Sequence, residues 1–156
     1  MTGKDSLTLK KVYTQKGERV EIAAGRLDKA IRLDALALES VAWQDDAAAI
    51  WTQLDGPDSP TPDETAVVLE TGDSGEIELS NEYTHVTLSP GTKPNTVLLE
   101  SVGLDYTIEL DARALEHLAW QPNAYSLSRF LETPFGPEDV AQATKIVDTP
   151  SDKTDL

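Results

Sequence analysis

A fourteen-residue stretch occurs twice in this chain, 77 residues apart. IRLDALALESVAWQ at 31–44 and IELDARALEHLAWQ at 108–121 share ten identical positions. The register extends on both sides without a gap: Val20 matches Val97, Leu27-Asp28 matches Leu104-Asp105, Leu54 matches Leu131 and Pro57 matches Pro134. About 50 residues are involved, 7–57 and 84–134. A module that recurs at a fixed offset is one supersecondary unit that cannot bury its apolar face alone, so its copies shelter each other.

The unit reads as three strands and a helix. Residues 7–13 and 84–88, then 19–23 and 96–100, then 29–33 and 106–110 are rich in β-branched residues and alternate with period two. Turn formers separate them. Asp34 and Asp111 each precede an Ala-x-Ala-Leu-Glu run, which marks them as caps of a starting helix. The stretch 35–44 also fits one turn followed by a strand, because ESVAWQ alternates. Between the copies, three prolines within 57–62 break regular structure, and 65–71 with 76–80 read as a β-hairpin around GDSG. The expectation is one α+β domain over 1–135, mainly antiparallel β, an internally duplicated β-β-β-α unit with pseudo-two-fold symmetry. Loop and hairpin join the copies across 58–83. The copies pack either face to face or as one continuous sheet. Trp43 and Trp120 lie either between the copies or within the core of each. Residues 136–156 read as a partly disordered tail, with a helix at 137–147.

Charge narrows the function. The 156 residues carry 13 Lys and Arg against 28 Asp and Glu, a net −15. Residues 1–34 hold eight basic side chains, and 35–92 hold none against twelve acidic ones. Such a chain repels nucleic acid and anionic membranes over most of its surface. The composition, carboxylate-rich and with only eight Lys, resembles that of proteins from salt-in halophilic archaea. That resemblance implies a cytoplasm of molar salt, where charge repulsion is screened within about 3 Å.

With no cysteine, the chain has no disulfide, thiolate metal site or cysteine nucleophile. His85 and His117 lack metal-ligand spacing, and no phosphate loop, dinucleotide fingerprint or nucleophile elbow is present. The paired carboxylates Asp28/Asp105, Asp34/Asp111 and Glu39/Glu116 read as turn residues, caps and exposed helix carboxylates. Asp45-Asp46 does not match a calcium loop.

No cofactor and no catalytic residue are therefore expected. The sequence points to a non-enzymatic interaction or assembly protein, cytoplasmic and without a membrane span. A regulatory binder of nucleic acid or a small ligand, through the basic N-terminal strip or the cleft between copies, is the alternative. Candidate partner-binding residues are Lys10, Lys11, Lys16 and Arg19 in that strip, with Phe130 and Phe135 in the FLETPFGP segment. A protein partner is expected ahead of nucleic acid, and a homodimer fits equally. The plainer reading of the strip is a polar sheet face paired with the chain's own acidic middle; that of the Phe segment is an anchor to the core.

Overall fold

A computed structural model describes residues 6–71, 73–81, 84–103 and 105–127. Phe130, Phe135, the segment 137–147 expected to be helical, and the rest of the tail lie outside the described residues. The fold is mixed α+β, with two mostly antiparallel four-stranded sheets and three helices.

The first sheet contains β1 (Leu7–Thr14), β2 (Gly17–Ala24), β3 (Lys29–Leu33) and β4 (Val67–Glu70) in the order β3-β2-β1-β4. Two residues connect β1 to β2, and Gly17 closes that turn at φ 115°, where a side chain would be strained. The second sheet contains β5 (Ile77–Ser80), β6 (His85–Pro90), β7 (Val97–Ser101) and β8 (Tyr106–Leu110) in the order β5-β6-β7-β8.

The pairing of β2 with β3 and that of β7 with β8 share one register. Val20 faces Leu33 as Val97 faces Leu110, and Ile22 faces Ile31 as Leu99 faces Ile108. Asp28 and Asp105, read as turn residues, precede these third strands at φ 54° and 63°. Asp enters this left-handed region more readily than most residues because its short polar side chain bonds locally.

The first strands break the gapless register. Leu9 faces Ile22, but Val86, its match at 77, faces Ser101; it is Leu88 that faces Leu99. The cause is a one-residue move of the turn centre: it lies between 93 and 94 rather than at 92–93, the match of 15–16, and this slides each partner on β6 by two.

The stretch expected as a hairpin is not one. β4 pairs in parallel with β1, placing Leu7 opposite Val67, while β5 pairs antiparallel with β6, placing Ile77 opposite Leu88. Alternation and a Gly-bounded turn identify two strands but not their partners. Each strand here extends a three-stranded sheet and joins a larger apolar face.

Helix α1 spans Ala35–Ala42 and α3 spans Ala112–Trp120. The Asp34 side chain accepts from the Ala37 N–H and the Asp111 side chain from the Ala114 N–H, each at 2.9 Å, satisfying donors that a helix start leaves free. This resolves 35–44 in favour of helix. A further helix, α2 (Ala47–Gln53), has no counterpart in the sequence reading. Asp46 caps it through the Ala49 N–H.

The helices cross over. α1 follows β3 of the first sheet yet packs mainly on β6, β7 and β8 of the second. α3 follows β8 yet packs on β1, β2 and β3 of the first. Residues 38–42 are all buried, so the second half of α1 is enclosed, while Leu36 in its first turn stays exposed. Leu38 and Leu115 are fully buried, each contributing roughly 2 kcal/mol by removal from water. Trp43, next after α1, is buried; Trp120, at the end of α3, lies under Lys29 of β3, whose ammonium stands 5.0 Å from its ring centre. Among the described residues no helix is long and apolar enough to cross a membrane.

Candidate functional site

Alternation in the first sheet sends Leu7, Leu9, Val20, Ile22, Ile31 and Leu33 inward, where all are buried. The opposite face carries Glu70, Lys10, Glu21 and Arg32 along one rung, Val12 and Arg19 on the next, and the exposed Val68 on β4. Lys10 lies 4.0 Å from Glu21, and Arg32 Nε donates to Glu21 at 3.0 Å. Lys11 points to the other face, 3.4 Å from Glu18, with its ammonium 5.3 Å from the Tyr13 ring centre. Arg19 donates to the Glu18 carbonyl at 2.9 Å, and Lys16 is exposed in the β1–β2 turn. Among the described residues, Lys10, Lys11 and Arg32 form their ion pairs with Glu18 and Glu21 of their own sheet, and Glu70, from the acidic middle of the chain, stands beside Lys10 on the outer rung. Lys10 and Arg19 share the outer face, Lys16 stands at its turn end, and Lys11 is on the opposite face.

A second locus lies beside α3. The carboxylate of Glu116 is almost completely buried and is held by three donors. Arg26 grips it through two N–H groups at 2.7 and 2.8 Å, and the Thr61 hydroxyl donates at 2.6 Å. A planar guanidinium matches a carboxylate's two oxygens, which makes this a strong, directional pair. Arg26 also donates to the Ser59 hydroxyl at 2.9 Å. Gln121 donates to the Asp55 carbonyl at 2.8 Å. A Cβ at Gly56 would overlap the His117 imidazole, so the strap and this ring lie in close contact, and a larger residue would have to displace the ring. Together these contacts fasten the proline-rich strap 55–62 against α3.

Glu39 and Glu116, read as exposed helix carboxylates, are both buried. Both carboxylates lie on the parts of α1 and α3 that are covered by the opposite sheet and the loops beside it, while Leu36 and Arg113 of the same helices stay exposed. Glu39 accepts from the Ser101 hydroxyl at 2.7 Å. Arg26, which grips Glu116, is matched 77 residues on by Gly103, and Ser101, which donates to Glu39, is matched by Ala24, so the two carboxylates have different partners.

Strap, helix and the β6–β7 loop border an open cavity of about 700 Å³. Its walls include Pro57, Pro60, Pro62 and Pro94, the carboxylates Asp58 and Asp63, and the cation Arg113. The Arg113 guanidinium stacks on the Trp51 ring with its carbon 3.6 Å from the ring centre. Stacking covers the face of the guanidinium and leaves its N–H edge free. His117 Nδ1 donates to the Arg113 carbonyl at 2.8 Å, so its proton sits on that nitrogen. Neither the cavity nor the strap was foreseen. The available signal was three prolines beside an acidic pair, which reads as loop until Glu116 is known to be buried.

The other side of the β6–β7 loop is fixed by Glu109. It accepts from the N–H groups of Thr92 and Lys93 at 3.0 and 3.1 Å and from the Thr92 hydroxyl at 2.8 Å. The Thr96 hydroxyl lies 2.6 Å away; it also reaches the Lys93 carbonyl, but the charged oxygen is the stronger acceptor for its one proton. These bonds, the Thr96 and Thr92 hydroxyls foremost, hold the Glu109 pKa down at about 2 from its usual 4.5. Compared with protein-family models, with curated proteins and with solved structures, the chain matches none.

Proposed function

We propose that this chain is a non-enzymatic interaction or assembly protein, built on a duplicated β-rich scaffold and working in the molar-salt cytoplasm of a halophilic archaeon. The outer face of the first sheet is its docking surface, and the partner is an acidic protein. One observation carries this reading: Lys10, Arg19 and Arg32 share a single open face in a chain of net charge −15. The equivalent face of the second sheet bears Glu78, Glu100 and Glu109. Sign complementarity steers encounter and selects partners. Glu18 and Glu21 absorb part of the positive charge, which disfavours a phosphate backbone over a protein surface of mixed charge. The duplication is supported by the shared β2–β3 and β7–β8 registers and by the matched caps.

The test is lysine-directed cross-linking in native high-salt lysate. The wild-type chain is expected to capture a protein through Lys10 or Lys16, and the K10Q/R19Q/R32Q variant, checked for an unchanged melting curve, to lose it. Capture through other residues, or duplex DNA binding that falls steeply with salt, overturns the docking surface. The halophilic setting has its own check: the melting temperature is expected to rise strongly from low to molar KCl. A flat profile rejects it.

A further inference from the structure

We propose that the cavity beside α3 binds a small zwitterion of the amino-acid class, with its carboxylate on Arg113, its ammonium toward Asp58 and Asp63, and an apolar side chain against the proline walls. This stands apart from the docking face of the first sheet, which contributes no residue to the cavity.

Three observations carry it. First, the cavity is held open by construction. Glu116, Arg26, Thr61, Gln121 and the Gly56–His117 contact pin the strap, so the site need not be ordered by its ligand. Its 700 Å³ lies within the range of small-molecule sites. Second, Arg113 is held in place by Trp51, and among the described residues its N–H groups have no hydrogen-bond partner. A fixed guanidinium edge in a proline-walled recess suits a carboxylate, which it can grip through two parallel bonds.

Third, the lining is bipolar. Asp58 and Asp63 make no hydrogen bond among the described residues, and Asp111 spends one oxygen on its helix cap. Three carboxylates disfavour a dianion such as free phosphate. The cation disfavours a simple amine. A molecule carrying both charges satisfies both ends. Pro57, Pro60, Pro62 and Pro94 then offer ring faces to an apolar or aromatic side chain.

Phenylalanine is the probe, with N-acetylphenylalanine and phenylalanine amide as its single-charge controls. The full chain, labelled with ¹⁵N, is titrated with each in a buffer where it is folded. Phenylalanine is expected to give saturable shifts at amides in 57–63 and 111–117. Either blocked form is expected to bind at least about tenfold more weakly, a loss of roughly 1.4 kcal/mol. R113Q and D63N, both at exposed positions and checked by an unchanged spectrum elsewhere, are expected to weaken phenylalanine by a similar factor. Absence of saturable shifts, equal binding of the amide, or indifference to R113Q overturns the proposal. Binding of the amide but not the acetylated form makes the site an amine site, which also overturns it.

Discussion

Glu109 shows how one half-buried side chain can fix a loop. Its native carboxylate is favoured by four donors, so its folded pKa lies near 2 while the unfolded value stays near 4.5. The unfolded chain therefore takes up a proton more readily than the native one. The resulting stability is present in full above pH 4.5 and lost as pH falls toward 2. E109Q is expected to melt below wild type at pH 7 and to lose less on acidification, the two curves converging near pH 2. Parallel curves would show that the loop bonds carry no ionisation preference. Glu116 is the buried counterpart. E116A leaves Arg26 without its carboxylate, and a cost of about 3 kcal/mol is expected in denaturant unfolding. A loss under 1 kcal/mol would mean that water repays Arg26 in full.

At the scale of elements, the caps are the test of local design. D34A and D111A are each expected to cost about 1 kcal/mol, while D34N and D111N stay near wild type because Asn caps as well as Asp. Equal losses from the Asn variants would mean that charge rather than hydrogen bonding holds the helix starts. These caps were legible because an Asp before a run of helix formers has few other jobs. So were the strands, whose alternation records which side faces apolar neighbours. α2 was not, since AAAIWTQ is too short to establish a period. The partners of β4 and β5 were not either, because pairing across sheets depends on distant chain. The buried state of Glu39 and Glu116 was hidden for the same reason: a helix's own sequence does not say how many layers will cover it. The cavity inherits that blindness, being defined by a strap tied to one of those carboxylates.

For the whole molecule, the crossing of the helices matters most. Residues 1–64 contain the first sheet's three leading strands but lack α3, which covers them; residues 65–156 contain the second sheet but lack α1. Each fragment leaves an apolar sheet face bare. Neither is expected to fold as a monomer, and mixing the two is expected to restore the native circular-dichroism signal. A folded, monomeric 1–64 fragment in size-exclusion chromatography would contradict the crossing.

Synthesis runs in one direction, and the crossing sets its timetable. β3 is complete at Leu33, but the helix that shields its sheet is not finished until Trp120. At about 5–20 residues per second, the ribosome leaves that greasy face waiting for on the order of ten seconds. The nascent chain must therefore survive an interval in which its earliest strands are formed but unroofed, and the emergence of α3 is what ends their exposure.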